Sequence, residues 1–406
     1  MRVIVDARIA AGRGGGVETL IKGLAKGFSE ILDLNYELIF VVNPGNPLLL
    51  GENNSNSSIK IIESNYSKKS SKAIRRIRGI LRLLNFHLNV PIPDSLILNR
   101  DQVLELLNPQ VIHYPYQATS LVKFPTVYHP HDLQHKYFPK NFSILARLFR
   151  DANYSIMCRK SKAVIVSSNW VKRDIEFYYK VPSKKIHVIP LLSLGNSLTL
   201  ENGQKTDAIK SLEESPTFLF YPAANWPHKN HLNLLKAIQL LNHQGVNIRL
   251  VCTGMVHNRF KSPMLMAREL GIHKNVFVLG HVSATLVDIL YNSAWAVIVP
   301  TKFEAASFPI YEAQARGKAV ACSNVTSLPE QVKDSALLFD PEDISEIASV
   351  IKRLWFDTNL KADLEFRSLK NIDGNTWVNV CKSLDSIYKQ IVGHSEDASK
   401  CKSLRK

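Results

Sequence analysis

Trp295-Ala296-Val297-Ile298-Val299-Pro300, followed by Phe303-Glu304-Ala305-Ala306-Ser307-Phe308-Pro309-Ile310-Tyr311-Glu312, is the stretch whose reading decides the fold. The first part is a short apolar run, the kind that forms a strand buried on both faces of a parallel sheet. Residues 310–316 then follow a helical pattern, and Gly317 suits its C-terminus. Strand, short loop and helix put Glu304 and Glu312 at the carboxyl edge of a sheet, where open α/β sheets bind ligands. Free N–H groups at the helix start favour an anion nearby. The two carboxylates cannot cradle a phosphate themselves; they suit hydroxyl groups, such as those of a sugar or a ribose. On spacing alone, the plainer reading as solvated acids at a helix start stays open.

The same alternation extends in both directions. Upstream, strands are expected at 3–6, 37–42, 59–63, 111–114, 125–129 and 163–167, with helices at 17–32 and 151–161. That pattern makes residues 1–192 a doubly wound α/β domain. The polar stretch 193–215 reads as a linker. Strands then resume at 217–221, 248–253, 276–279, 296–300 and 319–322, alternating with helices at 231–241, 264–270, 284–292 and 344–355. Residues 216–375 thus form a second such domain. An amphipathic helix over 376–392 carries Trp377, Val380, Leu384, Ile387 and Ile391 on one face. The polar, basic tail 393–406 is expected to be disordered. A chain of 406 residues has room for two cores.

Composition excludes several classes. With 45% hydrophobic and 21% charged residues, this is an ordinary globular protein. No apolar run approaches the roughly 18–20 residues that span a bilayer. The start Met1-Arg2-Val3-Ile4-Val5-Asp6 is a strand rather than a secretion signal, so a cytoplasmic location is expected. Five scattered cysteines and thirteen histidines show no metal-ligand spacing, and no metal is expected. The net charge of +16 is uneven: residues 1–190 hold 27 Lys and Arg against 14 Asp and Glu, the remainder 24 against 21. Lys68, Lys69, Lys72, Arg75, Arg76, Arg78 and Arg82 form the densest part, with no acid between Glu63 and Asp94. Ile74, Ile77, Leu81 and Leu84 share this segment at helical spacing. Residues 68–84 are therefore either a solvated helix packed on the sheet or an interfacial helix on an anionic membrane. On a membrane each basic residue contributes about 1 kcal/mol. Nucleic acid is disfavoured, because no aromatic stacking platform or known module appears.

Three further segments carry chemistry. In Asn225-Trp226-Pro227-His228-Lys229-Asn230, a lysine stands between a strand and a helix start, well placed for a diphosphate. Gly14-Gly15-Gly16-Val17-Glu18 links the first strand to the first helix and would let a ligand approach the backbone. Val17 stands where a third dinucleotide glycine belongs, and Val41-Val42-Asn43 ends the second strand without an acid, which disfavours NAD. His131-Asp132-Leu133 follows a strand, and an imidazole with a carboxylate partner accepts protons near neutral pH. His129 and His135 compete with His131 for that role.

Together these segments resemble the retaining glycosyltransferases of family 4, which use nucleotide-sugar donors. The resemblance spans most of the chain; it is strongest over 218–345 and weakest over 45–105. It implies two Rossmann-like domains facing a central cleft (GT-B), with the last helix crossing back to the first domain. Glu304 and Glu312 match an E-x7-E signature, placing Glu304 by the donor sugar and Glu312 at the ribose. Lys229 and Asn230 match the K-N motif that meets the leaving diphosphate, although the arginine many members carry just before it is absent here. Ser307 and Phe308 lie in the donor loop, Gly15 and Gly16 face the phosphates, and His131 lies near the reacting centre, supported by Asp132. The implied activity is transfer of a hexose, with a lean toward mannose, to a glycan or lipid-linked glycan hydroxyl without a metal. The enzyme would be cytoplasmic, or peripheral on the inner face of the membrane. A sugar-nucleotide epimerase and a non-catalytic nucleotide-sugar-binding protein are the rival readings.

Overall fold

A strand buried on both faces of a parallel sheet needs apolar side chains at almost every position, and both halves of the chain supply them. A computed structural model describes residues 1–9, 16–45, 57–64, 72–88, 90–97, 101–117, 121–192 and 217–403, with backbone alone at 72–76, 94–95 and 394–403. Gly15, Lys68, Lys69 and the expected linker lie outside the described residues. The chain divides into two units, one of Met1–Leu194 with Asn375–Lys406, the other of Gly195–Gly374.

The first unit contains strands β1 (Arg2–Asp6), β2 (Glu37–Val42), β3 (Ile59–Glu63), β4 (Val111–Tyr114), β5 (Thr126–Tyr128), β6 (Ala163–Val166) and β7 (Ile186–Val188). They form one sheet in the order β3-β2-β1-β4-β5-β6-β7, with every pair parallel. The second unit contains β8 (Leu219–Pro222), β9 (Leu250–Thr253), β10 (Val276–Val278), β11 (Ala296–Val299), β12 (Val320–Ser323) and β13 (Ala336–Phe339). Its order, β10-β9-β8-β11-β12-β13, is again all parallel. Both are doubly wound α/β sheets, and in each the strand order reverses beside the first strand, between β1 and β4 or between β8 and β11. Crevices for ligands open at such points.

Sequence patterning missed β7 and β13. Ile186-His187-Val188 has no apolar run, and Ala336-Leu337-Leu338-Phe339 reads equally well as helix. The helix expected from 151 starts at Ile144, because Ser143 accepts the Ala146 N–H (3.2 Å) and caps it there. The helices Asn169–Tyr179 and Thr358–Ile372 were also unanticipated. Basic segment Lys72–His87 is helical. Within it Arg82 is buried, and its guanidinium donates to the Ile97 carbonyl (2.9 Å), so this arginine belongs to the fold rather than to an outward basic face. Ile77 and Ile80 are exposed instead.

The last helix runs Trp377–Ser403, beyond the expected 376–392. After Gly393 no glycine or proline interrupts it, and Glu396, Ala398, Lys400 and Lys402 are good helix formers. It packs on the helix Gly16–Ser29 through a glycine pair one turn apart. A Cβ added at Gly23 would lie 2.1 Å from the Trp377 indole, and one at Gly27 2.5 Å from the Trp377 carbonyl oxygen. Cys381 Sγ reaches the Leu24 carbonyl (3.5 Å) in the same seam. Gly→Ala in an open helix stabilises by about 0.5–1 kcal/mol. At Gly27 the backbone would have to separate, so Gly27→Ala should destabilise by about 1–3 kcal/mol. Gly393→Ala, with nothing within 4 Å, should instead be neutral or stabilising. Urea unfolding of the two variants beside the parent checks this opposition of sign.

Candidate active site

Two loops meet where β8 and β11 end. After β8 the chain makes a tight turn, Pro227–Lys229, and Asn230 follows in a left-handed conformation (φ 60°), which asparagine tolerates better than most residues. The Asn230 amide donates to the carbonyls of Pro300 (2.9 Å) and Pro341 (2.8 Å), so this buried side chain ties the turn to the ends of β11 and β13. The His228 carbonyl accepts from Lys302 N (2.7 Å) and Thr301 Oγ1 (3.0 Å), and Tyr221 Oη donates to the Lys229 carbonyl (2.7 Å). With its backbone fixed this way, Lys229 forms an ion pair with the Glu304 carboxylate, both side chains being largely buried. Burial, reinforced by the neighbouring ammonium of Lys229, pushes His228 down to about 3 and His231 down to about 4. Both are neutral at pH 7, leaving Lys229 as the cation of this turn.

Glu304 is held by the next loop along the sheet, after β12. Its carbonyl accepts from Thr326 Oγ1 (2.6 Å) and Ser327 Oγ (2.8 Å). Gln331 accepts from Ser307 N (2.9 Å) and donates to Ser307 O (2.8 Å), a reciprocal clamp. Ser307 Oγ is buried and has no hydrogen-bond partner among the described residues. Phe308, half-buried, opens the helix Phe308–Gln314. Glu312, on that helix, accepts from Tyr291 Oη (2.7 Å), and Arg316 donates to its carbonyl (2.8 Å) while pairing with Asp288 (2.7 Å). The Arg316 guanidinium also lies 4.9 Å from the centre of the Tyr291 ring.

Trp226, partly exposed, meets His257 (ring centroids 4.3 Å) and Phe260 (5.4 Å) at tilted angles. Asn225 fastens this loop to its neighbour, accepting from His257 N (2.7 Å) and donating to His257 O (3.1 Å). Gly254 is needed for that approach: at φ 124° its Cβ would fall 2.6 Å from the Ala223 carbonyl carbon.

In the first unit, Gly16 is the exposed first residue of its helix. His131 has φ 62°, and the Asp132 N–H closes a tight turn onto the Pro130 carbonyl (2.9 Å) around it. His131 Nε2 is 2.9 Å from the Pro115 carbonyl. A carbonyl only accepts, so Nε2 carries the hydrogen and Nδ1 holds the lone pair. Burial lowers the proton affinity of His131, the Pro115 bond and Asp132 opposing it. The ring is therefore a neutral hydrogen-bonding group and a weaker base than its Asp132 neighbour alone implies. Asp132 itself accepts from Gln134 N (3.0 Å).

The second unit thus brings together Lys229, Glu304, Ser307 and, one helical turn beyond Phe308, Glu312. Asn230 turns out to position rather than present a free amide. Gln331, Thr326, Ser327 and Tyr291 were missed. For the first three the one available signal was placement, since the β12 loop must neighbour the β11 loop at the same edge; Tyr291, on the helix before β11, offered none. Among the described residues no three His, Cys, Asp or Glu side chains converge as metal ligands.

Residues 14–191 match the profile of Glycosyltransferase Family 4, and residues 203–368 that of glycosyl transferases group 1. The chain belongs to glycosyltransferase family 4. Among relatives of this glycosyltransferase, O-antigen chain mannosyltransferase RfbU of Salmonella typhimurium is 28% identical over 253 residues, 60% of this chain and 67% of the relative. O-antigen chain mannosyltransferase B of Escherichia coli is 24% identical over 244 residues, 56% of this chain and 61% of the relative. Solved structures share the two-domain GT-B fold. Sucrose-phosphate synthase from Thermosynechococcus elongatus superposes with a TM-score of 0.69 at 15% identity, covering 97% of this chain and 100% of that one. HepE from Anabaena, in complex with UDP and glucose, superposes at 0.66 and 16%, covering 96% and 100%.

In this glycosyltransferase, removing the Gln331 clamp leaves the Ser307 N–H unpaired, while the Ser307 carbonyl keeps the Tyr311 N–H (3.3 Å). Gln331→Ala should destabilise by about 1–3 kcal/mol. Thermal unfolding of the variant, with Asn292→Ala at an exposed position of the helix Ala284–Ser293 as reference, measures it.

Proposed function

We propose that the protein is a retaining, metal-independent hexosyltransferase. It moves a sugar, mannose being favoured, from a nucleoside-diphosphate donor to a hydroxyl of a glycan or lipid-linked glycan in polysaccharide or lipopolysaccharide assembly. The Lys229–Glu304 pair at the β8/β11 edge carries this reading, and the names of the two O-antigen relatives favour mannose. The departing diphosphate builds up negative charge, and a fixed cation stabilises that charge more in the transition state than in the ground state. Lys229 is that cation. A bound diphosphate competes with Glu304 for it, and the released carboxylate then stands beside the sugar. The unpartnered Ser307 hydroxyl supports a donor contact, Glu312 takes the ribose, and Gly15 and Gly16 are assigned to the phosphates. His131 offers its Nδ1 to a hydroxyl of the reacting sugars.

Lys229→Ala should weaken binding of a nucleoside diphosphate about tenfold or more, the cost of one charge-assisted contact. Glu304→Gln should bind it at least as tightly as the parent, because the competing carboxylate is gone, while turnover falls about a hundredfold. Calorimetry and transfer assays with a panel of nucleotide sugars read both; unaltered binding in Lys229→Ala would reject the donor site. Conversion of the donor without acceptor would favour an epimerase, and binding without turnover across acceptors a non-catalytic protein.

We also propose that the protein is cytoplasmic and lies peripherally on the inner face of the membrane through residues 68–84. Among the described residues no helix is long and apolar enough to cross a membrane. Exposed Ile77, Ile80 and Leu88, with Ile144 and Leu145 on the helix packed beside them, support an apolar face next to the basic segment. Replacing Arg75, Arg76 and Arg78 by Glu, with Arg82 left in place, should abolish sedimentation with vesicles rich in anionic lipid. Undiminished sedimentation rejects the membrane role.

A further inference from the structure

Three imidazoles stand in a row in the first unit. His113 pairs with Val127 across β4 and β5, and His129 follows Val127 by two residues, so both histidines occupy one face of the sheet. Their rings stack at 4.8 Å with 28° between planes, and His129 lies 5.8 Å from His131. The far end is closed by the C-terminal helix: Tyr388 Oη lies 2.5 Å from His113 Nδ1, and the two rings meet edge to face at 5.7 Å. Tyr388 is fully buried and stacks on Phe28 of the first helix. A column of four rings thus runs from the last helix of the chain to His131.

Apolar side chains would fill this space at lower cost, since buried polar rings lose hydration that single hydrogen bonds only partly restore. His113 Nε2 and His129 Nε2 are both buried without partners among the described residues. Burial alone holds His113 down at about 3; burial also pushes His129 well below its usual range, with the His113 and His131 charges adding to the effect on His129. The column is therefore uncharged at pH 7. It ends on a residue whose backbone is held in the left-handed region, the kind of local strain that persists only where the surroundings enforce it.

We infer that Tyr388, His113 and His129 are positioning residues for His131. The column fixes the plane of the His131 ring while the Pro115 carbonyl fixes its tautomer, so that Nδ1 meets a substrate hydroxyl at one angle. The inference rests on His131 acting in sugar transfer.

The test uses the full-length enzyme with Tyr388→Phe, His129→Phe and His131→Ala, and with Cys381→Ala as a control in the same helix that leaves the column intact. Tyr388→Phe and His129→Phe should lower kcat about tenfold or more, as small misplacements of reacting groups do, with the donor KM within about twofold. Cys381→Ala should lower the melting temperature and leave kcat unchanged. Wild-type kcat in folded Tyr388→Phe and His129→Phe, or an equal loss in Cys381→Ala, overturns the inference. A fully active His131→Ala instead removes the role of His131 itself, leaving donor binding untouched. Should the column variants fail to fold, Phe28→Leu, which loosens the Tyr388 ring from outside the column, is read instead: a lowered kcat with the donor KM within about twofold supports the inference, and a wild-type kcat overturns it.

Discussion

Lys229 and Glu304 are 75 residues apart in sequence and form one ion pair. They meet because both follow strands that lie side by side and parallel, β8 and β11, so that their loops leave the sheet at the same edge. A paired charge taken out of water is stable only when its surroundings are also bonded. The neighbouring polar groups answer that requirement. Asn230, Thr301 and Tyr221 secure the lysine turn, and Thr326, Ser327 and Gln331 secure the glutamate loop. The charges sit on backbone that cannot easily move, so a substrate anion would exchange partners at Lys229 rather than reshape the site.

The two units solve the same problem differently. In the second, cationic and anionic side chains are balanced across two loops. In the first, the carboxyl edge of β4 and β5 is lined by neutral imidazoles whose charge is suppressed by burial. One edge is electrostatic in character and the other directional.

Much of this was legible in the sequence. The strands at 37–42, 59–63 and 111–114 coincide with β2, β3 and β4, because short stretches dominated by β-branched and aromatic residues leave a strand few alternatives. Lys229, Glu304 and Glu312 stood out as charged residues in the strand-to-helix segments that follow such runs. What stayed hidden depends on tertiary placement. Nothing local in Gln331 says that it will clasp Ser307, and nothing in Tyr388 that it will reach His113 across 275 residues. Arg82 looked like one more surface cation until its guanidinium was found on the Ile97 carbonyl. Short strands such as β7, with a histidine in the middle of three residues, carry too little pattern to register.

The glycine seam between the first and last helices has a temporal consequence. Leu20, Leu24 and Phe28 are covered in the finished protein, and Trp377 and Cys381 help to cover them, Cys381 being made 357 residues after Leu24. A nascent chain can complete the second unit while the first still lacks a wall. The N-terminal half therefore waits, with a greasy furrow open, until the residues around Trp377 are made, and a chain cut short before them never closes it.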